Sequence, residues 1–404
     1  MNKYVKLTSL FLLIALTFIG FSIYKAQASS PYSQMKVVTT EGKPEYIEPV
    51  DFFGYVSHSQ NFSNSSTIEF DEGSFTYLQE KPFLKRMDHS FDPKLNNLVD
   101  NYRTFMRGKS RRPEQYTETD QHLIYAGSKT DVDWNSPFNN QMTISVLDKA
   151  SDEEEAYSVT IGSDNAYNDI YATYIDYPTL TIFVNRSGVS DTSRNLVYTF
   201  DIENPTEALT EVVDLSGYLD KNETLSVSQL SDKTERYIPL KTVRQTVVSD
   251  YDFRTETSGY FAYDMQAQEV IEIPPFEEET LLFSDNDTIY VGKPLNESIE
   301  LYEMNPDDKE MTLLGTLEMA TPIMGQEDSS FYSDRFNQSV TILDGKLYTY
   351  GQEYVDEVSR PIFQITDVHT QETLFKGTVM PKDMTEAGYT TIEVMEYRLD
   401  PSRN

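Results

Sequence analysis

Short runs in which apolar and polar residues alternate recur along most of the chain, and neighbouring runs are joined by polar turns. The clearest example is Ser298–Leu317, where alternation on both sides of a polar turn predicts a β-hairpin. Its apolar arms contain Ile299, Leu301 and Met304, then Met311, Leu313, Leu314 and Leu317, with Asn305, Pro306 and Asp307 in the turn. The same outline returns around Asp148, Asp201, Asp264 and Asp367. This recurrence predicts a protein built from repeated hairpins.

The repeats become regular from about Gln121 onward. We predict finishing hairpins of this kind at Met142–Ile161, Asn195–Leu215, Gly259–Ile273, Ser298–Leu317 and Pro361–Val379. A first hairpin precedes the finishing one within a repeat, as at Leu281–Gly292 and Val340–Gly351. The acidic turn residues are about 40 to 65 residues apart, within or somewhat above the usual length of a four-stranded propeller blade.

The two ends of the repetitive region are irregular. Short alternating runs in Tyr46–Leu78 predict a first, irregular four-stranded unit, and Tyr389–Leu399 predicts a lone final strand. Pairing between the final strand and the N-terminal unit would leave no open sheet edge. The polar segment 29–43 lacks periodicity, so we predict a flexible tether there.

Several arms share an aromatic or apolar motif that leads into the turn. The motifs are VYTFD at Val197–Asp201, YFAYD at Tyr260–Asp264 and LYEM at Leu301–Met304. On these motifs the chain resembles bacterial β-propeller repeat proteins over about residues 44–399, at the level of fold alone. No Trp-Asp blade signature is present, because Trp134 is the only tryptophan. The resemblance implies an all-β class, with a single β-propeller of six or seven four-stranded blades in 44–399 and a tail at 400–404.

The N-terminal segment 1–28 predicts an export signal or a membrane anchor. Lys3 and Lys6 precede the apolar run Leu7–Ile23, which is followed by Ala26-Gln27-Ala28. This order is typical of a signal peptide that is cut after the last alanine. The run also nearly spans the roughly 30 Å hydrocarbon core, so retention in the membrane through residues 7–23 stays open. In both cases the chain from Ser29 onward is expected outside the cytoplasm, on the cell membrane or secreted.

Residues 81–112 depart from the β pattern. Asp92 as N-cap and Pro93 at the first helical position predict the start of a helix, and Gly108 predicts its end. Apolar residues fall at helical spacing between them, namely Leu95, Leu98, Val99, Tyr102, Phe105 and Met106. We therefore predict one amphipathic helical insertion near the start of the β region.

The insertion is basic, in a chain whose net charge is -33. Its basic residues are Lys81, Lys85, Arg86, Lys94, Arg103, Arg107, Lys109, Arg111 and Arg112. Two interpretations stay open. The charges are solvated or pair with the acidic body while the apolar stripe packs on the sheets, or they dock an anionic partner. For the second interpretation, the candidate partner-binding residues are Arg103, Arg107, Lys109, Arg111 and Arg112.

Bulk composition narrows the classes of partner and of site. The chain has 66 acidic and 33 basic residues, which disfavours nonspecific binding of the body to nucleic acid. The 28 Tyr and 22 Phe suit half-buried β surfaces. Because there is no Cys, disulfides, thiolate metal sites and a cysteine nucleophile are excluded.

Metal-binding residue types are present, but they do not form a familiar pattern. The four His residues, His58, His89, His122 and His369, lack metal-ligand spacing, so we expect them to be structural or solvated. The alternating oxygens of Asp131–Asn135 resemble a calcium loop, but Ser136, followed by Pro137, stands where such a loop needs Gly. Other oxygen-rich groups contain Asp164, Asn165, Asn168 and Asp169, and Asp250 with Asp252. We expect no resident cofactor, although a weak extracellular calcium site stays open.

No catalytic constellation stands out. A Gly-x-Ser-x-Gly pattern is missing, and 66 acids offer too many carboxylate pairs to single one out. We expect a noncatalytic binding or sensing module at the bacterial cell surface that acts through propeller loops and through the basic segment 81–112. Its partner would be an unknown protein or an anionic cell-envelope polymer. The alternative is an extracellular polysaccharide hydrolase or lyase that uses carboxylates at the propeller mouth.

Overall fold

The structure is a computed structural model. It describes residues 33–57, 65–71, 73–82, 90, 92–128, 141–161, 166–188, 193–206, 208–220, 223–227, 235–249, 252–276, 280–295, 297–320, 340–355, 358–383 and 390–400, and the isolated positions 12, 16, 17 and 86. The predicted leader 1–28 therefore lies outside the described residues except at three positions. The side chains of residues 188, 245, 247–249, 252–255, 354, 355 and 396 are likewise outside the description.

The described part of the chain forms six antiparallel sheets that follow one another along the sequence. Sheet 1 contains β2 (Val50–Ser57), β3 (Ser66–Asp71) and β4 (Ser74–Tyr77). Sheet 2 contains β5 (Tyr116–Glu118), β6 (His122–Ser128), β7 (Gln141–Asp148) and β8 (Glu153–Thr160). Sheet 3 contains β9 (Ala166–Asp176), β10 (Thr179–Gly188), β11 (Ser193–Asp201) and β12 (Thr210–Asp214). Each is a simple up-and-down meander.

The second half of the chain continues in the same way. Sheet 4 contains β13 (Glu223–Val227), β14 (Tyr237–Ser249), β15 (Asp252–Asp264) and β16 (Glu269–Glu272). Sheet 5 contains β17 (Leu281–Asp285), β18 (Thr288–Pro294), β19 (Ser298–Met304) and β20 (Met311–Glu318). Sheet 6 contains β21 (Val340–Leu343), β22 (Lys346–Val355), β23 (Val358–Asp367) and β24 (Thr373–Pro381). All five finishing hairpins expected from the sequence are present.

The two ends of the chain each complete a sheet built from the other end. β25 (Thr391–Leu399) pairs with β2 and becomes the first strand of sheet 1. β1 (Met35–Gly42) pairs with β24 and becomes a fifth strand of sheet 6. The expected pairing between the final strand and the N-terminal unit is thus confirmed. That unit supplies three strands of sheet 1, since β25 supplies the fourth.

The segment 29–43 is not a tether throughout, because residues 35–42 form β1. Val37 and Val38 are β-branched residues that suit a strand, but the run shows no alternation. It becomes a strand because β24 offers it a free edge for backbone hydrogen bonds. That edge comes from the opposite end of the chain, so local sequence does not reveal it.

The acidic turn residues have a shared structural role. The Oδ1 atoms of Asp148, Asp201, Asp264 and Asp367 each accept two backbone N–H bonds of 2.7 to 3.0 Å from residues two and three positions later. In sheet 5 the same place is taken by Asn305, which accepts from the Asp307 amide at 3.0 Å. These side chains satisfy turn amides, which is the ordinary role of Asp and Asn at such positions.

Strand direction gives each sheet two distinct ends. In every meander the turns after the first and third strands lie at one end, which we call the turn end. The connections to the next sheet leave from the opposite end, which we call the linker end. The first turns of sheets 5 and 6 lie side by side. Asp285 at the turn end of sheet 5 accepts from the amides of Asp344 and Gly345 in the first turn of sheet 6, at 2.8 and 2.6 Å.

Apolar clusters join consecutive sheets face to face. Ile144 of sheet 2 and Ile182 of sheet 3 share one cluster, and Phe183 of sheet 3 meets Tyr263 of sheet 4 edge to face at 5.5 Å. Further clusters join sheets 4 and 5 and sheets 5 and 6. Phe363 of sheet 6 stacks on Phe52 of sheet 1 at 5.4 Å between ring centroids, so the last sheet returns to the first.

The junction between sheets 1 and 2 contains the helical insertion, formed by α1 (Pro93–Asn101) and α2 (Arg103–Met106). Leu95, Leu98, Phe105 and Met106 are buried against Tyr116, Leu123, Tyr125 and Leu147 of sheet 2. On the other side, α1 contacts β2 and β25 of sheet 1. The series of contacts therefore runs through all six sheets and closes through the insertion.

This series of four-stranded antiparallel sheets, completed by the exchanged chain ends, is the arrangement of a β-propeller. The all-β class and the fold-level resemblance expected from the sequence are therefore confirmed. Among the residues that the structure describes, no helix is long and apolar enough to cross a membrane.

The hydrogen bonds between Asp285 of sheet 5 and the first turn of sheet 6 predict that a single substitution lowers the stability of the protein. Asp285→Ala would remove a buried carboxylate and leave the partly exposed amides of Asp344 and Gly345 without it, which costs about 1 to 3 kcal/mol of unfolding free energy. Asp287→Ala, which removes an exposed acid from the same turn, should change it by less than about 0.5 kcal/mol. Denaturant unfolding measures both values, and equal values would contradict the role of Asp285.

Candidate functional site

The helix of the insertion begins as its sequence indicates. Asp92 accepts a hydrogen bond from the Leu95 amide at 3.1 Å, and Pro93 occupies the first turn. The backbone leaves helical geometry at Tyr102, where φ is -126° and ψ is 43°, so the expected helix is divided into α1 and α2. Gly108 then turns the chain with a φ of +78°, a conformation that favours glycine.

Several contacts fix the insertion to sheets 1 and 2. The Asp92 carboxylate forms an ion pair with Arg398 of β25 at 2.7 Å, and both side chains are largely buried. Lys94, only 6% exposed, donates from its Nζ to the Tyr116 carbonyl oxygen at 2.9 Å. Lys81 pairs with Glu69 of β3. Residues 92–112 are therefore fastened to the body, which matters for any surface that they carry.

Lys109 is one of the five candidate residues, and its ammonium group bonds to other parts of the protein. Its Nζ donates to the Phe105 carbonyl oxygen at 2.6 Å and to Glu154 of β8 at 2.8 Å. It also lies 3.8 Å from the centroid of the Phe105 ring, a cation–π distance. With these contacts satisfied, Lys109 fastens the loop after α2 to sheet 2.

Arg112 is also engaged by the body. Its guanidinium pairs with Glu114 at 2.5 Å and with Asp169 of β9, and it donates to the Ile170 carbonyl oxygen at 3.0 Å. Burial disfavours the charged form, but the hydrogen bonds to Asp169 and Glu114 outweigh this and raise the pKa of Arg112. Arg112 thus ties the end of the insertion to sheet 3.

The other three candidates, Arg103, Arg107 and Arg111, are exposed. Lys109 and Arg112 are therefore less exposed than the other three candidates. An exposed guanidinium presents several N–H donors in a planar fork that matches carboxylate and phosphate groups. Chemically, the surface can bind an anion.

Arg103 and Arg107 lie near the turn end of sheet 2, because contacts on both sides of them are made there. Just before them, the Tyr102 hydroxyl donates to Glu118, the last residue of β5, at 3.3 Å. Burial, followed by the charge of Glu118, raises the pKa of Tyr102. Just after them, Lys109 pairs with Glu154, the second residue of β8. Both contacts adjoin the turns of sheet 2.

The sequence pointed to the basic segment but not to the residues that hold it. Glu154 lies 45 positions from Lys109, and Asp169 lies 57 positions from Arg112. Nothing in the local pattern distinguishes these two cations from the three exposed ones. Asp92 differs, because the Asp-Pro pair in the sequence predicts its role as the N-cap of α1.

The remaining candidate groups do not come together into a site. Within the described ranges, no three His, Asp or Glu side chains are grouped so that they could hold a metal ion. Asp169 pairs with Arg112, and His122 stacks on Tyr177 at 4.9 Å between ring centroids. The calcium-like segment Asp131–Asn135, the pair Asp164 and Asn165, Asp250, His58 and His89 all lie outside the described residues. The side chain of Asp252 does too.

The division of the five candidates predicts different effects on stability. Arg112→Ser removes a cation bonded to two acids and a carbonyl, and because the side chain is 40% exposed, we expect a loss of only about 1 kcal/mol in unfolding free energy. Arg107→Ser, a matched change on the surface, should stay within about 0.5 kcal/mol of the parent protein. Denaturant unfolding measures the difference. A larger loss for Arg107→Ser would contradict this assignment.

Comparisons with known proteins give structural likenesses alone. No protein family matches the sequence, and neither does a curated protein. Among solved structures, TolB from Acinetobacter baumannii is 10% identical, with a TM-score of 0.34, over 86% of this chain and 66% of TolB. The tricorn protease is 11% identical, with a TM-score of 0.36, over 92% of this chain and 35% of the protease. The uncharacterized protein lmo1340 from Listeria monocytogenes EGD-e is 11% identical, with a TM-score of 0.35, over 66% and 67% of the two chains. At these levels of likeness, none of them assigns an activity or a partner to this chain.

Proposed function

We propose that this protein is an exported, noncatalytic binding module whose six sheets are the blades of one propeller. Its docking surface is the helical insertion, and its partner carries negative charge. The export signal at residues 1–28 supports a position outside the cytoplasm. The apolar run Leu7–Ile23 supports retention on the membrane.

One observation carries the proposal: Arg103, Arg107 and Arg111 are exposed on a segment that is itself firmly held. A mobile basic loop would lose conformational freedom on binding, and this ordering would reduce affinity. Here α1 contacts sheets 1 and 2, and Phe105 and Met106 of α2 are buried, so the backbone that carries Arg103 and Arg107 is positioned before the partner arrives. Such preorganisation is what a docking surface requires.

The charge of the body makes binding selective. A net charge of -33 repels anionic surfaces at long range, so only a partner that reaches the insertion closely gains from its arginines. Salt at 0.1 M screens interactions between exposed charges that are more than about 10 Å apart. The attraction to the arginines therefore acts only at close range. We therefore expect binding that weakens as salt is raised.

A charge-matched comparison tests this function. The triple variant R103S/R107S/R111S should lose capture of its partner from native cell envelopes, because it removes the three exposed guanidinium groups. The control variant K43S/K309S/K382S removes the same charge from exposed sites elsewhere and should capture as the parent does. Capture is quantified by the mass and phosphate content of the retained material, and thermal unfolding checks that both variants fold.

Two outcomes would contradict the proposal. Equal capture by the parent and the R103S/R107S/R111S variant would remove the insertion as a docking surface. Turnover of cell-wall polysaccharide by the purified protein, lost on changing a single carboxylate, would favour the alternative of a hydrolase or lyase.

A further inference from the structure

One face of sheet 3 changes from apolar to polar as it approaches the linker end. Phe183 of β10 and Val197 of β11 are buried on the face that packs against sheet 4. Alternate residues of a strand share a face, and so do residues directly opposite each other on neighbouring strands. This face therefore continues into two rows of side chains, which we call the polar patch. The first row is Asp169, Asn185 and Asn195, and the second row is Tyr167, Ser187 and Ser193.

The polar patch is accessible, although the opposite face of the same strands is not. Tyr167 is 45% exposed, and Ser193 is exposed as well. Asn168 and Arg186 occupy neighbouring positions on the face toward sheet 2, and they are only 3% and 4% exposed. At this level of the strands, sheet 3 is thus covered on the side of sheet 2 and open on the side of sheet 4.

The linker end of sheet 4 borders this opening. The Asn195 amide donates to the Ser216 hydroxyl at 2.8 Å, and Asp220 pairs with Arg244 of β14 at 3.1 Å. Ser216 and Asp220 both belong to the short connection between β12 and β13, so this connection joins the linker ends of the two sheets. The opening therefore lies between the polar patch, the connection and sheet 4.

The charged groups around the opening are paired with one another. Asp169 forms an ion pair with Arg112. Arg244 forms ion pairs with Asp220 and with Glu223, the latter at 2.7 Å. A ligand that depends on charge would have to break these pairs. The opening therefore suits an uncharged ligand that bonds to amide and hydroxyl groups.

The polar patch holds such groups in fixed positions. The Asn185 Nδ2 donates to the Asn195 Oδ1 at 3.1 Å, while the Asn185 Oδ1 accepts from the hydroxyls of Ser187 and Ser193 at 3.3 and 3.0 Å. Asn195 is only 6% exposed, and among the described residues its Nδ2 has no acceptor. Because an unsatisfied buried donor costs free energy, this group gains by bonding to an oxygen of a ligand.

Tyr167 supplies an apolar surface beside these polar groups. Its ring is exposed two residues from Asp169, on the same face of β9. The C–H face of a sugar packs on an aromatic ring, and sugar hydroxyls both donate to carboxylates and accept from amides. A peptide strand is a poorer match, because the backbone of β10 is already paired with β9 and β11.

We propose that the opening between sheets 3 and 4 binds a neutral oligosaccharide, with Tyr167 stacked on a sugar ring and the Asn195 Nδ2 donating to a sugar hydroxyl. The site is separate from the exposed arginines of the insertion, so it adds a second ligand to the protein. It does not depend on the anionic partner proposed above.

Titration calorimetry with neutral oligosaccharides tests the site. Maltohexaose, cellohexaose, xylohexaose and chitohexaose are each added to the purified full chain, and we expect at least one of them to bind. Tyr167→Ala should weaken this binding about tenfold, because it removes an aromatic contact. The matched control is Tyr177→Ala, since Tyr177 is 43% exposed at the turn end of the same sheet, and this variant should bind as the parent does.

A second variant tests the buried amide. Asn195→Asp keeps the shape of the side chain and an acceptor for Asn185, but it removes the Nδ2 donor. We expect it to bind the oligosaccharide about tenfold more weakly than the parent, and thermal unfolding checks that the variant folds. Equal binding by the parent, Tyr167→Ala and Asn195→Asp would overturn the site, and so would the failure of all these oligosaccharides to bind.

Salt separates this site from the docking surface on the insertion. Binding of a neutral oligosaccharide should stay constant from about 0.05 to 0.5 M salt, because no ion pair forms with the ligand. The R103S/R107S/R111S variant should bind it as the parent does. Loss of oligosaccharide binding in that variant, or a steep fall of binding with salt, would overturn the proposal by moving the ligand to the arginines. Failure of the docking surface alone would leave this site standing.

Discussion

The architecture depends on the need to cover both faces of every four-stranded sheet. In β10, the adjacent residues Ile182 and Phe183 point to opposite faces, and both are fully buried, one against sheet 2 and the other against sheet 4. Leu196 and Val197 of β11 repeat this arrangement. A sheet that is apolar on both sides cannot end a stack without exposing one face. The sheets therefore continue until the last one meets the first.

The helical insertion follows from the same constraint. Among the described residues, sheets 1 and 2 share no apolar cluster, and α1 and α2 supply apolar side chains that pack against sheet 2. Because the segment is packed on both sides, its polar residues are fixed in place. Lys109 and Arg112 bond to the body, and Arg103, Arg107 and Arg111 are the more exposed side chains. The proposed docking surface would thus be a consequence of a packing requirement.

Much of this architecture could be read from the sequence, because hairpins and turns are local. The finishing hairpins, the capping role of Asp148 and its counterparts, and the Asp92 cap all follow from spacing and residue type. Lys109 and Arg112 bond to groups that are distant in sequence, and the spacing of residues along the chain does not reveal these contacts. β1 was missed for the same reason, since its pairing edge lies more than 300 residues away.

The fold depends on a closed series of sheets, in which sheet 1 is completed by the pairing of β25 with β2 and packs against sheet 6 and the insertion. Gly54 of β2 makes this testable, since a Cβ at this position would lie 2.2 Å from the Glu393 carbonyl oxygen of β25. Gly217 has no atom within 4 Å of such a Cβ, and it serves as the control. Calorimetry of the G54V and G217V variants is the most direct measurement. A closed series predicts that G54V lowers the temperature of unfolding of the whole domain while G217V leaves it nearly unchanged. Unfolding of G54V at the temperature of the parent would contradict closure.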